Sequence, residues 1–302
     1  MRRNGLLFSS ICAVFCFVEN VQASNLVNLD FSVKNTPYTV SDYTDLSGNG
    51  HHGDESGTWW NFDGDTIVNA DLWDDVGGAR GGVFAHRSTH EQFYETQVRV
   101  GNAENNRVIL DSTPSIAAGA GITLALWVNP EIDHVEYGNI VGGDAKFAHL
   151  IALGGYGVAP IVTIELDASK RVHGYIEGTG GAQVEVTGVG SVPANTWTHV
   201  AITYDRVNDV ATTYINGFPD NTIGIGGVDD GAISYSSSSL GGGFYNSGHH
   251  DSFLGMMDNV MVFDEALSQS QIAVLVPEPS TLLLFGLASL TVVFRRSKTR
   301  ID

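Results

Sequence analysis

Three groups of residues in this chain have the types and spacing that could carry chemistry. Asp45-Leu46-Ser47-Gly48-Asn49 sets a carboxylate and an amide at i and i+4, and Gly48 and Gly50 let main-chain carbonyls turn inward. A hard cation such as calcium takes about six to eight oxygens of these kinds. The same residues also suit an Asx-type turn closed by hydrogen bonds alone. Glu131, Asp133 and Glu136 form a second group, and glycoside hydrolysis with retention needs two carboxyl groups about 5–5.5 Å apart on one face. Glu131 and Asp133 share a face of an extended strand, and Glu136 joins them only if a bulge inserts one residue. The third group is His51-His52 and His249-His250. Adjacent histidines on extended backbone point to opposite sides, so each pair offers zinc one ligand, and they read as solvated loop residues. Trp59, Trp60 and Trp73 add aromatic faces on which sugar rings could stack.

The elements that must position these residues are strands. Short runs rich in Val, Ile, Thr and Tyr recur between Gly, Asn and Asp clusters, the pattern of an all-β sandwich or barrel. The clearest are residues 107–111, 121–130, 161–167, 170–178, 182–188, 196–205 and 210–217. Some alternate apolar and polar; ITLALWV is apolar throughout and reads as a central strand. Asn216-Gly217 supplies the positive φ of a hairpin turn. Trp127, Trp197 and His199 read as core residues on strands. Ser268 with Gln271 three residues on predicts a capping box opening one short helix. The stretch 54–106 reads as long connections at one end of the sandwich, and Ser234–Gly243 as a loop.

The two ends are of another kind. Arg2 and Arg3, an apolar run from Leu6 to Val18 and Val21-Gln22-Ala23 form the pattern of a signal peptide over residues 1–23. The only cysteines, Cys12 and Cys16, fall inside it, so the domain that follows has no thiol chemistry and no disulfide. Pro277-Glu278-Pro279 precedes an apolar run, Leu282 to Phe294, and then Arg295, Arg296, Lys298 and Arg300. The run is a marginal membrane helix, shorter than the ~20 residues of an ordinary span, and the basic residues would hold the tail in the cytoplasm. VPEPS, apolar helix and RR in this order resemble the PEP-CTERM sorting signal of Gram-negative bacteria. That resemblance implies recognition by an exosortase-type enzyme, transient anchoring in the inner membrane, and delivery to the cell surface or extracellular matrix. Between the ends, residues 24–276 hold nine basic against 31 acidic groups, a net charge of −22. Such a surface repels nucleic acid and anionic lipid.

Within residues 24–276 three segments resemble one family. ITLALWVNP, NTWTHVAITYDRVNDVATTYINGFP and FLGMMDNVMVFDEALSQSQI are similar, in order, to the buried strand, the hairpin and the closing strand and helix of laminin-G-like domains. Asp45 to Gly53, as D-x-SGN-x-x-x-G, falls where that family begins. The resemblance implies a concanavalin A-like jelly-roll sandwich of two antiparallel sheets. It also implies that Asp258 of the closing strand meets the Asp45–Asn49 loop, around a structural calcium held by Asp45, Asn49 and Asp258 or as a hydrogen bond to a dry turn. Glu131, Asp133 and Glu136 resemble the catalytic strand of glycoside hydrolase family 16, which shares the jelly roll. Here, however, they follow Asn129-Pro130, where laminin-G-like chains leave the sheet. The expected function is therefore a non-catalytic domain at the cell surface that binds polysaccharide or a matrix protein, with family-16-like hydrolysis as the alternative.

Overall fold

The computed structural model describes residues 24–31, 43–56, 58–60, 66–68, 73–75, 82–86, 107–112, 114–117, 119–130, 147–155, 158–178, 180–226, 228, 233–234, 238–242, 253 and 255–276. In chain order the strands are β1 (Asn25–Leu29), β2 (Gly53–Ser56), β3 (Thr58–Trp60), β4 (Thr66–Val68), β5 (Trp73–Asp75), β6 (Gly82–His86), β7 (Arg107–Leu110), β8 (Ser115–Ile116) and β9 (Ile122–Pro130). They continue as β10 (Phe147–Gly155), β11 (Val158–Asp167), β12 (Arg171–Glu177), β13 (Gln183–Ser191), β14 (Thr198–Asp205) and β15 (Val210–Ile215). The last are β16 (Phe218–Gly224), β17 (Ile233–Ser234), β18 (Ser238–Leu240) and β19 (Gly255–Phe263), followed by helix α1 (Gln269–Val274).

Two antiparallel sheets make the sandwich. One runs β16-β15-β14-β9-β19-β6-β5, with β1 also paired to β19, and the other runs β13-β12-β11-β10-β18-β7-β2. The apolar run of β9 is central, between β14 and β19. Alternate residues of the facing strands meet in one core. Leu124, Leu126, Val200, Ile202 and Tyr204 come from the first sheet, and Leu150, Val162, Ile164, Val172 and Ile176 from the second. A smaller apolar cluster lies on the other face of the first sheet, where Ala125, Ala201, Tyr214 and Phe263 pack under Leu267 and Ile272. Helix α1 closes that cluster. Its capping box is complete, with the Gln271 amide N–H donating to Ser268 Oγ and the Ser268 N–H donating to Gln271 Oε1 at 2.7 Å.

Three expectations need correction. Residues 54–106 are more than connections, because β2 joins the second sheet and β5 and β6 join the first. These are three- to five-residue strands near sheet edges, too short to display a period-2 pattern. Ser238–Leu240 is likewise a strand, paired to both β10 and β7 with its serines buried; hydroxyl side chains hide it from any hydrophobic pattern. Trp127 and Trp197 are only half-buried. Trp127 takes the opposite parity from Leu124 and Leu126 and lies edge-on to His199, ring centroids 5.6 Å apart.

The two sheets approach closely at Gly174. A Cβ there would strike Ile202 Cδ1 and lie 2.6 Å from the Tyr204 hydroxyl, which reaches across the core to donate to the Thr163 carbonyl at 3.3 Å. Gly174→Ala is therefore expected to destabilise the domain by about 1–3 kcal/mol through overpacking. Urea unfolding checks it, and an unchanged midpoint would show that the sheets have room to spare.

Candidate functional site

The Asp45 loop is a clasp between the sheets. Asp45 is 4% exposed, and its carboxylate accepts from Asn28 N–H (2.9 Å), Ser47 N–H (2.9 Å), the Ser47 hydroxyl (2.7 Å) and His51 N–H (3.0 Å). The Asn49 amide donates to the Asn25 and Leu26 carbonyls at 2.9 and 3.1 Å. The loop is thus tied to β1, and through it to β19. On its other side, His51 Nδ1 lies 2.9 Å from the Ser112 carbonyl, and Asp111 N–H donates to the His52 carbonyl, both just beyond β7 of the second sheet. His52 Nδ1 accepts from Asp45 N–H at 3.1 Å. Burial pushes the Asp45 carboxyl up, but the Ser47 hydroxyl and the three N–H groups outweigh it and hold the group below the ordinary carboxylate range.

This donor set does not fit a bound cation at Asp45, since the lone pairs a metal would take already face four hydrogens. Asp258 sits on β19, buried, and accepts from Asn259 N–H at 2.8 Å and the Asn259 amide at 3.2 Å. Among the described residues no three His, Asp or Glu side chains converge as a metal site. The structure brings Asp45 and Asn49 together, and both histidines of the loop serve its hydrogen bonding.

A second polar cluster was not foreseen. On the face of the second sheet turned away from the core, His149 of β10, Glu165 of β11 and His173 of β12 stand in one cross-strand row. The Nδ1 atoms of His149 and His173 lie 3.1 and 3.2 Å from the two Glu165 oxygens. The Thr163 hydroxyl donates to Glu165 at 2.7 Å, and Phe147 stacks on His173. Glu165 is only 4% exposed. Burial pushes its carboxyl up, but the close approach of His149 and the hydrogen bond with His173 outweigh it and hold the group well below its ordinary value. The sequence shows only three polar residues at alternate-strand parity; the strand register is what assembles them.

A third feature is an open cleft of about 470 Å³ on the outer face of the first sheet. Thr203, Asp205, Thr212 and Tyr214 of β14 and β15 line one side, and Glu265, Leu267, Ser268 and Gln271 of the β19–α1 connection line the other. The other residues singled out in the sequence are less fully placed. Trp59 and Trp60 fall on β3 and Trp73 on β5, with side chains outside the described part. Glu131, Asp133, Glu136, His249, His250, the signal segment and Pro277, Glu278 and Pro279 also lie outside the described residues. Among the described residues no helix is long and apolar enough to cross a membrane.

Because both buried carboxylates have folded pKa values below their ordinary 3.8 and 4.5, their contribution to stability is complete above pH 4.5. It is lost as pH falls below 4.5 for Glu165 and below 3.8 for Asp45, toward each lower folded value. Glu165→Gln should cost about 1–3 kcal/mol at neutral pH by taking the buried carboxylate away from the two imidazoles, and should flatten the acid side of the stability curve. Denaturant midpoints against pH measure both effects. An acid side identical to that of the parent protein would remove Glu165 from the account.

The comparisons with known proteins bear on the fold. No curated protein matches the chain. Among solved structures, the binding domain of Paraclostridial Mosquitocidal Protein 1 is 14% identical, with a TM-score of 0.55 over 84% of this chain and 52% of that one. The botulinum neurotoxin serotype G binding domain is 15% identical, with a TM-score of 0.54 over 83% of this chain and 50% of that one. The chain therefore spans about half the length of these toxin domains. Domain 4 of AbnA, a GH43 extracellular arabinanase from Geobacillus stearothermophilus solved with arabinotriose, is 17% identical, with a TM-score of 0.53 over 84% of this chain and 98% of that one. At these identities the likeness is one of fold. The PEP-CTERM protein-sorting motif matches residues 275–297. The model of the concanavalin A-like lectin/glucanases superfamily, Laminin_G_3, matches residues 102–273, more than half of the chain, and the chain belongs to that family.

Proposed function

We propose that this protein is an exported, non-catalytic module that holds an extracellular polysaccharide or another matrix component at the cell surface. The observation that carries the reading is the state of the buried carboxylates among the described residues. Asp45 is closed by four donors, Glu165 by two imidazoles and a hydroxyl, Asp167 by Arg171 at 2.6 Å, and Asp258 by Asn259. Each is committed to holding the fold. A glycosidase instead needs a pair of carboxyl groups facing one another across an open site.

The sorting motif supports the export half of the reading. It matches from residue 275, one residue beyond α1, so the sandwich ends where the signal begins. An exosortase-type enzyme would then recognise Pro277, Glu278 and Pro279 while the apolar run from Leu282 to Phe294 holds the chain in the inner membrane. AbnA domain 4, a sandwich of the same fold, was captured with arabinotriose, which supports a carbohydrate as the ligand class. We further read the Asp45 clasp as closing on hydrogen bonds, without calcium.

Two measurements check this. The purified full chain, sedimented with β-glucan or agar particles, is expected to be retained and to release no new reducing ends. Reducing ends that appear with the parent protein and vanish with Glu131→Gln would replace binding with hydrolysis. The melting midpoint is expected to be the same with added calcium and with chelator. A rise with calcium that Asp45→Asn abolishes would return the metal to the clasp.

A further inference from the structure

The cleft on the outer face of the first sheet has the composition of a ligand site, and neither the fold nor the clasp requires it. One wall is the β14–β15 hairpin, bearing Thr203, Asp205, Thr212 and Tyr214, and the other is the segment from Glu265 to Gln271. Both walls are fixed in place. Thr123 of the central strand β9 donates its hydroxyl to the Glu265 carbonyl at 2.7 Å and accepts from Leu267 N–H at 2.9 Å, which sets the height of the connection above the sheet. The capping box then locks Ser268 and Gln271. A site held in this way needs little ordering when a ligand enters. Its volume of about 470 Å³ falls inside the ~300–1,000 Å³ range of small-molecule sites.

The lining chooses the ligand. It offers two carboxylates, four hydroxyls and one side-chain amide over Val210, Ala266 and Leu267, with no Lys, Arg or His. An anionic sugar would face both carboxylates within a domain whose net charge is −22. A cation is also a poor match. Asp205 already accepts from Val207 N–H (3.0 Å), Asn208 N–H (3.0 Å) and the Asn208 amide (2.6 Å), and Glu265 accepts from the Gln271 amide at 3.1 Å. Their charge is partly compensated by these donors, while each carboxylate keeps further acceptor capacity. Thr212 already bonds Thr222 at 3.0 Å, and Ser268 and Gln271 bond each other within the cap. The polar match therefore comes from the Thr203 and Tyr214 hydroxyls and the compensated carboxylates over an apolar floor, which suit a ligand that is itself a row of hydroxyls on a carbon frame.

We propose that this cleft, between β14–β15 and the β19–α1 connection, binds a short stretch of an uncharged glycan. The assignment rests on the polysaccharide-binding reading and names where, and for which charge class, that reading applies.

Calorimetric titration of the purified full chain with cellotriose, xylotriose and arabinotriose, and with trigalacturonate as the charged counterpart, tests the assignment. At least one neutral trisaccharide should bind and trigalacturonate should not. Glu265→Gln should weaken the neutral sugar about tenfold, the loss of one charge-assisted hydrogen bond. Val210→Trp, which fills the cleft without removing a hydrogen bond, should abolish binding while the melting midpoint stays near that of the parent. Neutral-sugar binding unchanged by both variants would overturn the cleft and leave the general reading standing. Preference for trigalacturonate would overturn the ligand class. Failure of every neutral trisaccharide overturns the cleft assignment; if the chain is also not retained by particles of β-glucan or agar, the general reading falls with it.

Discussion

The apolar contact between the two sheets is the interaction on which the rest of this molecule depends. Residues 24–276 contain no cysteine, so no covalent link holds the sandwich closed. Leu124, Leu126, Val200 and Ile202 on one side and Val162, Ile164, Val172 and Ile176 on the other form a single buried cluster. Burying side chains of this size stabilises by roughly 1.5–3 kcal/mol each, set against the entropy of ordering a long chain. Gly174 makes that contact close, because it leaves the volume that Ile202 and the Tyr204 hydroxyl occupy.

The polar interactions complete what the core begins, and they sit where the core ends. The Asp45 clasp joins β1 to the end of β7, tying the first sheet to the second at one edge of the sandwich. The Glu165 row ties β10, β11 and β12 together on the face that the core does not reach. Thr123 and the capping box tie the closing segment to β9 on the opposite outer face. Each of the three uses an ionised or strongly hydrogen-bonding group under partial or full burial, where an unmade bond would be costly. The acidity of the domain is therefore of two kinds. Among the described residues Asp45, Glu165, Asp167 and Asp258 are buried in structural contacts, and the excess of acidic over basic groups in residues 24–276 gives the domain its net negative charge.

Much of this was legible in the sequence, for identifiable reasons. The long strands β9, β14 and β15 showed themselves because each must bury a face, and burial imposes an apolar pattern over six to nine residues. Ser268 and Gln271 announced α1 because a capping box is a local contact, complete within four residues. The Asp45–Asn49 turn was visible for the same reason, although its ring of donors was not. Those donors come from Asn28, 17 positions away in the chain, as well as from the loop itself. What stayed hidden depends on register. His149, Glu165 and His173 are neighbours only because β10, β11 and β12 pair as they do, and a shift of one residue would send Glu165 to the core face. Ser238–Leu240 was missed because its burial comes from its central place between β10 and β7 and leaves no mark on a run of serines. The cleft was missed because its two walls lie about 60 positions apart in the chain, Thr203 on one and Glu265 on the other.

The account comes down to a rigid sandwich whose buried carboxylates serve the fold and whose open cleft serves a ligand. Amide hydrogen exchange on the full chain, with and without a bound neutral glycan, tests this most directly. The account predicts new protection confined to residues 203–214 and 264–271, with the glycan recovered at its original length. Protection concentrated around Trp59, Trp60 and Trp73 or around Glu131 to Glu136, or a glycan recovered in shorter pieces, would contradict it.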